Sequence, residues 1–197
     1  MKKSDWHPEP SPRTGAGKDN TQSAKSLQPG DKLYNVLVSA LSQSETDSEL
    51  FLEYTRALQN QFNISQGVLV LVDPVDNKLA AVSTIHNGSL RDGLRIRLPA
   101  ESSLFSQVVD QSSIYNEEFV DTFSGNFFER KLLLDEDSRS FVLQPLKHDA
   151  RVVGLVGFSS QQPAAFAMFE EGDIDRAAEL LAKYLALRHQ PQSPVEA

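Results

Sequence analysis

The chain contains no cysteine. This absence excludes disulfide bonds, thiolate nucleophiles, iron–sulfur clusters and cysteine-ligated zinc. Long apolar runs are missing as well, because a stretch such as residues 68–72 is short against the roughly 20 residues that cross a bilayer. The residues after Met1 are charged or polar and do not form the apolar region of a signal peptide. We therefore expect a cytoplasmic protein without a membrane-spanning helix.

Basic side chains are scarce relative to acidic ones. The chain has 19 lysines and arginines against 27 aspartates and glutamates, a formal net charge of -8. A negative protein is repelled by phosphate backbones and by anionic lipid surfaces. We therefore predict neither nucleic acid nor a membrane as a partner.

The two ends of the chain differ in composition from the rest. Residues 1–30 contain only five apolar side chains and four prolines, too little apolar surface to offset the entropy of ordering the segment. The last nine residues contain Pro191 and Pro194. We predict a disordered segment at 1–30, one domain at 31–188 and a disordered tail at 189–197.

Three longer segments have the spacing of amphipathic helices. The first begins near Leu33, and the second follows a capping-box sequence between Thr46 and Glu49. The last runs from about Asp173 to Arg188, with an acidic start and a basic end that suit the helix dipole. A shorter helix is predicted at residues 104–109.

Strand patterns fill the middle of the chain. Residues 68–72 and 79–85 flank turn-rich sequence and predict a hairpin, and residues 141–146 and 151–159 predict a second antiparallel pair. Residues 94–98 alternate, which predicts a half-buried strand with Leu94, Ile96 and Leu98 on one face and Arg95 and Arg97 on the other. Residues 113–115 predict a brief strand.

The order of these elements indicates the fold class. Helices at both ends enclose strands, without the alternation of strand and helix that marks a parallel sheet. We predict an α+β fold with a central antiparallel β-sheet. The N- and C-terminal helices pack on one face of this sheet, and a short helix and loops cover the other.

Several short motifs follow one another along the chain. They are Leu98-Pro99, Ser103-Leu104 and Val108, then Arg139-Ser140, Pro145-Leu146, Val153-Gly154-Leu155-Val156, and Phe169 with Asp173-Ile174. In this order they resemble the motifs of the GAF domain family, small-ligand sensory domains related to PAS domains. The resemblance spans residues 33–188 and implies the GAF fold.

The resemblance does not identify a ligand. Members of the family bind cyclic nucleotides, bilins, haem, small metabolites or no known ligand. Bilin attachment usually uses a cysteine and the methionine-sulfoxide-reducing members use several, so neither fits this chain. Of the cyclic-nucleotide signature, Asn126, Phe128 and Asp135-Glu136 occur without its lysine or its spacing. Ligand and cofactor stay unknown at this stage.

An aromatic segment provides the candidate ligand-binding residues. They are Phe119, Phe123, Phe127, Phe128 and Arg130. Phenylalanines on an irregular segment beside a sheet can wall a pocket, and the arginine can bind an anion. The alternative is that the phenylalanines cover the core and that Arg130 is an ordinary surface residue.

Catalytic and metal-binding patterns are not found in the sequence. The histidines show no ligand spacing, and the consecutive acids Asp135, Glu136 and Asp137 do not face one another and suit a solvated turn. We therefore expect neither a catalytic residue nor a metal site, and we predict that the protein is not an enzyme.

Two hypotheses of function follow. In the first, the domain binds a small cytoplasmic molecule and transmits a conformational change through its terminal helices to a separate signalling protein. In the second, it is a ligand-free dimerisation or protein-interaction module. Both include a homodimer formed by the first and last helices, for which the candidate residues are Leu33, Leu37, Ala40, Leu181 and Tyr184.

Overall fold

A computed structural model describes residues 29–169 and 172–189. Within them the helices are α1 (Pro29–Gln43), α2 (Asp47–Phe62), α3 (Leu104–Gln111), α4 (Phe127–Leu133) and α5 (Gly172–His189). The strands are β1 (Gln66–Val72), β2 (Leu79–His86), β3 (Ser89–Arg91), β4 (Ile96–Arg97), β5 (Tyr115–Glu117), β6 (Ser140–His148) and β7 (Arg151–Ser160). The predicted disorder at 1–30 and 189–197 falls almost wholly outside the described residues. None of the described helices has the length and hydrophobicity needed to cross a membrane.

All the strands belong to one antiparallel sheet. Its order is β3-β2-β1-β7-β6-β5, and β4 pairs with β2 at the same edge as β3. Both predicted hairpins are present, β1 with β2 and β6 with β7. The turn between β2 and β3 uses Asn87 and Gly88, both at positive φ, the backbone that a two-residue hairpin loop requires.

One face of the sheet is covered by α1, α2 and α5. Alternate side chains of the strands, such as Leu69, Val142 and Phe158, point into this layer and are fully buried. The helices contribute the apolar stripes that the sequence predicts, and α5 lies across β6 and contacts both α1 and α2. The terminal helices thus form one packed layer, which we call the helix face.

The other face of the sheet is covered by the short helices α3 and α4. The intervening side chains of the strands, among them Val68, Phe141 and Leu155, pack here against Phe105 and Leu133. We call this side the loop face. The α+β architecture with terminal helices on one face and short helices and loops on the other is therefore confirmed.

Local sequence signals explain where α2 begins. Thr46 accepts a hydrogen bond from the backbone N–H of Glu49, and the Glu49 carboxylate accepts one from the N–H of Thr46. This capping box satisfies helix donors that have no partner within the helix. At the other end, Asn63 takes a left-handed conformation with φ 49°, which ends the helix before β1.

The predicted strand at residues 94–98 is wrong in extent. Ile96 and Arg97 form the strand β4 that pairs with β2, Leu94 and Leu98 each donate one backbone hydrogen bond to β2, and Arg95 has φ 45°. A residue at positive φ breaks the extended backbone on which alternation depends, so the segment is not one regular strand. Ile96 is 39% exposed and Leu98 is buried. The other brief strand lies at Tyr115–Glu117 rather than at 113–115.

Candidate functional site

The structure separates the five residues of the aromatic segment. Phe119, Phe127 and Phe128 are 60%, 66% and 51% exposed, and Arg130 is exposed on α4. Phe123 instead packs on the buried ring of Phe141, with ring centroids 5.6 Å apart. These positions do not enclose a pocket, so the assignment of the segment to a ligand stays a prediction.

Apolar side chains fill the interior of the loop face. Gly157 shows how tightly, because a Cβ atom added there would lie 2.8 Å from Cδ1 of Leu133 and 2.9 Å from Cδ2 of Leu143. Real Cβ contacts are longer than this, so even a methyl group does not fit at the centre of this layer. The loop face is therefore closely packed around Gly157.

Glu129 is a fully buried carboxylate in the loop face. It accepts hydrogen bonds from the backbone N–H groups of Leu104 and Phe105, at 2.9 and 3.1 Å, and from the Ser103 hydroxyl. It also accepts one from the N–H of Asn126, with which it forms the capping box of α4. Its charge thus lies at the N-terminus of α3, where the helix dipole favours an anion.

The helix face has open clefts at its margins. One of about 780 Å³ lies between Tyr34 of α1, the middle of α5 and the β6–β7 turn. A second of about 430 Å³ lies between β6, α5 and the segment that follows α3. A third of about 460 Å³ lies where the C-terminal part of α5 meets the β1–β2 and β6–β7 hairpins.

A polar pair is buried within the helix face. The Tyr54 hydroxyl on α2 donates a hydrogen bond to Gln144 Oε1 on β6, with an O–O distance of 2.7 Å. Burial raises the pKa of Tyr54 far above its ordinary value, and the negative charge of Asp175 on α5 raises it further. Tyr54 is therefore a neutral donor at any physiological pH. The Nε2 atom of Gln144 is buried and has no hydrogen-bond partner among residues 29–169 and 172–189.

The C-terminal end of α5 is attached to the connection between α1 and α2. The Arg188 guanidinium donates to the carbonyl oxygens of Ser44 and Glu45. His189 Nε2 lies 2.7 Å from a carboxylate oxygen of Asp47, and this hydrogen bond raises the pKa of His189. These contacts make α1, α2 and α5 one mechanically connected layer.

The acidic run forms a turn. The Asp135 carboxylate accepts hydrogen bonds from the Asp137 N–H and the Ser138 hydroxyl. In the described part of the chain, no three histidine, aspartate or glutamate side chains come together as metal ligands. The hydrogen bonds of Asp135 therefore stabilise the turn itself.

The residues proposed for a dimer lie largely in the core. Leu37 and Leu181 are fully buried, and Leu33, Ala40 and Tyr184 are half-buried. The sequence pattern identified the stripe of each helix, but the sheet and α2 cover most of it. The exposed apolar side chains of these helices are Tyr34, Val36 and Leu187.

Sequence reasoning missed the buried carboxylate of Glu129 and the buried pair of Tyr54 and Gln144. The spacing of Asn126 and Glu129 could have shown a capping box, because it has the form of one. No local pattern indicates that the same carboxylate also binds Ser103, Leu104 and Phe105, or that Tyr54 meets Gln144.

Comparison with known proteins identifies the fold. A family model described as GAF domain matches residues 48–188. The solved GAF domain of an Acinetobacter phosphoenolpyruvate-protein phosphotransferase is 14% identical with a TM-score of 0.62, covering 81% of this chain and 94% of that one. The GAF domain of a Bacillus halodurans two-component sensor histidine kinase is 19% identical with a TM-score of 0.57, covering 75% and 100%.

An enzyme has the same fold. The free methionine-R-sulfoxide reductase of Neisseria meningitidis, solved with its substrate, is 17% identical with a TM-score of 0.61 and covers 80% of this chain and 88% of its own. A search of curated proteins finds no match. At these identities the structural similarity concerns the fold, which regulatory domains and reductases share.

Proposed function

Since the chain belongs to the GAF domain family, we propose that it is a non-enzymatic regulatory domain that binds a small molecule and transmits the resulting change through its terminal helices. The family match and the likeness to GAF domains of a phosphotransferase and a sensor kinase support a regulatory role. A shared fold alone does not define an activity. The proposal therefore rests on the arrangement of this chain's own residues.

The position of α5 is the observation that carries the proposal. This helix packs across β6 and β7 and also against α1 and α2, and Arg188 holds its end to the α1–α2 connection. A ligand that moves α5 relative to β6 necessarily changes the packing of α1. The terminal helices are thus coupled to the sheet through buried contacts, as a transmitting element requires.

The absence of cysteine and the engagement of the buried carboxylate support a non-enzymatic role. The methionine-sulfoxide-reducing members of the family use cysteines, and this chain has none. The buried carboxylate Glu129 is taken up by hydrogen bonds within the fold. It is therefore not free to act as a general acid or base.

Native mass spectrometry of the full chain tests the proposal. We expect a noncovalent adduct of constant mass on protein purified gently from its own cells, and we expect heat denaturation to release it. Repeated preparations without an adduct would contradict ligand binding. A mass spectrum also reports the oligomeric state of the same sample.

A ligand-free interaction module is the second candidate, and the filled loop face favours it. In this case the exposed apolar side chains of α1 and α5, Val36 and Leu187, at 55% and 53% exposure, form the contact. We expect Val36→Glu with Leu187→Glu to dissociate an adduct-free dimer in native mass spectrometry. The matched control is Val75→Glu, since Val75 is 90% exposed in the β1–β2 turn. A dimer that survives the first pair of changes would contradict this surface.

A further inference from the structure

The cleft between β6, α5 and the segment after α3 is lined by a buried amide, one of whose two polar atoms has no partner among the described residues. Gln144 is 1% exposed and is one of the residues that line this cleft. Its Oε1 atom accepts from Tyr54, while its Nε2 atom has no acceptor among the described residues. An amide Nε2 carries two N–H donors.

An unpartnered buried donor is unusual because it loses its water without gaining another partner. The loss amounts to about 1–3 kcal/mol, and in folded proteins most such groups have a protein or water partner. Tyr54 donates to Oε1, so the Nε2 end of the Gln144 amide lacks a partner among the described residues. The site therefore calls for an acceptor from outside the protein.

The cleft has room for a molecule larger than one water. Its volume is about 430 Å³, whereas a water molecule takes up about 30 Å³ in the liquid. Clefts of roughly 300–1,000 Å³ are typical of small-molecule sites. The cleft thus has room for a body of several heavy atoms, and its acceptor reaches the buried Nε2 atom when the Gln144 amide turns toward the cleft.

Charges of both signs surround the amide. Asp175 and Glu179 line the cleft from α5, and Lys147 lines it from β6. The hydroxyl-bearing residues Ser112 and Ser113 line the side opposite α5. Two carboxylates can face an ammonium group, while the lysine and the Gln144 amide can face an oxygen anion or a carbonyl.

We propose that this cleft binds a small zwitterion, a molecule with a carboxylate or carbonyl oxygen that accepts from Gln144 Nε2 and an ammonium group that faces Asp175 and Glu179. This inference rests on the proposed function and assigns its ligand site. The site lies on the helix face, away from the aromatic segment that the sequence indicates. It takes its polar contacts from β6 and α5.

The position of the cleft explains how binding reaches the terminal helices. Gln144 connects it to Tyr54 on α2, and its carboxylates belong to α5. A zwitterion that bridges Gln144 and Asp175 fixes the distance between β6 and α5. Binding therefore favours one position of α5, and the contacts of α5 with α1 pass the change on.

Nuclear magnetic resonance of the full, ¹⁵N-labelled chain tests the site. The side-chain NH₂ signals of Gln144 are assigned by their disappearance in Gln144→Met. Glycine, β-alanine and γ-aminobutyrate serve as probes with increasing charge separation, and propylamine and propionate as probes with one charge. The internal control is Gln66, whose Nε2 donates to the Leu132 carbonyl at 2.9 Å and is already satisfied.

We expect at least one zwitterion to shift the Gln144 signals and leave those of Gln66 unchanged. Either single-charge probe should bind roughly tenfold more weakly than that zwitterion. Asp175→Asn should lower the affinity for the zwitterion roughly tenfold. Glu136→Gln makes the same change of charge in an exposed turn and should leave the affinity unchanged. Equal behaviour of the two variants, or no Gln144 shift with any probe, would overturn the site.

The outcomes also separate this site from the proposed function. A cellular adduct that persists on Gln144→Met overturns the cleft and leaves ligand sensing in place. A zwitterion that shifts Gln144 but no backbone signal of α1 leaves the site in place and overturns transmission through the terminal helices.

Discussion

The two faces of the sheet bury polar groups in opposite ways. On the loop face, Glu129 is fully buried and its carboxylate accepts hydrogen bonds from Ser103, Leu104, Phe105 and Asn126. On the helix face, Gln144 is equally buried, but within the part of the chain that the structure describes only one end of its amide has a partner. The comparison teaches that two equally buried polar groups can differ in how completely they are hydrogen-bonded, and it is the incompletely bonded one that the proposed site uses.

Packing is similar on the two faces, so the difference concerns polar chemistry. Phe141 on the loop face and Phe158 on the helix face are 1% and 0% exposed. Each contacts at least two other aromatic rings. The following variants test whether the faces are equal in packing and unequal in hydrogen bonding.

The largest effect is expected from removing these two rings. Phe141→Ala and Phe158→Ala should each lower the free energy of unfolding by about 3–5 kcal/mol, because each leaves a cavity in a filled core. Urea denaturation measures the loss. Phe127→Ala is the control, since that ring is 66% exposed. A loss under about 1 kcal/mol for Phe141→Ala alone would show a loosely packed loop face and restore a pocket there.

Removing the buried carboxylate should have the next largest effect. Glu129→Ala leaves the donors of Ser103, Leu104 and Phe105 without an acceptor, and we expect a loss of about 3 kcal/mol in urea denaturation. Glu101→Ala removes an exposed glutamate of the segment before α3 and serves as the control. If both variants were equally stable, the loop face would not depend on this carboxylate.

The polar pair of the helix face should behave as a coupled unit. Tyr54→Phe leaves both ends of the Gln144 amide unpartnered and should lower the free energy of unfolding by about 2 kcal/mol. Adding Gln144→Met removes the amide, so the double variant should be more stable than Tyr54→Phe alone. Thermal or urea unfolding of all four proteins in the cycle gives the coupling. If the losses of the two single variants simply added in the double variant, the hydrogen bond between Tyr54 and Gln144 would be contradicted.

Helix caps allow a finer comparison of the faces. Thr46→Ala removes the cap of α2 on the helix face and Asn126→Ala the cap of α4 on the loop face. Each should lower the free energy of unfolding by about 1 kcal/mol. Because Asn126 also orients Glu129 through their capping box, we expect the larger loss there. The reverse order in urea denaturation would mean that α3 alone positions Glu129.

The smallest effect concerns the end of α5. The hydrogen bond to Asp47 raises the pKa of His189 in the folded protein. Its contribution is therefore complete below the unfolded pKa of about 6.5 and is lost as the pH rises through the folded pKa. The imidazole is about half exposed, so we expect His189→Ala to lose under about 0.5 kcal/mol.

This pH dependence has its own control. His189→Ala should differ from the parent protein at acidic pH and match it at alkaline pH, as measured by urea unfolding at both. In an Asp47→Asn background the difference should vanish. A difference that persists at alkaline pH would indicate a packing role of the ring.

Much of the fold could be predicted because its signals are local. The capping box of Thr46 and Glu49, the two hairpins and the stripe of α5 depend on residues within a few positions of one another. The strand at residues 94–98 failed because alternation does not reveal that Arg95 takes a positive φ. The aromatic segment could not be resolved either, because residue type does not show which phenylalanine is buried. Of its four phenylalanines, Phe123 packs on the core and the other three are exposed.

The sequence by itself determined the order of helices and strands, the antiparallel sheet and the exclusion of cysteine chemistry. Only the tertiary structure decided which polar groups are satisfied. Glu129 meets Leu104 across 25 residues of chain, and Tyr54 meets Gln144 across 90. Periodicity and caps act over one or two turns of chain, whereas hydrogen-bond partners in a core are brought together by packing.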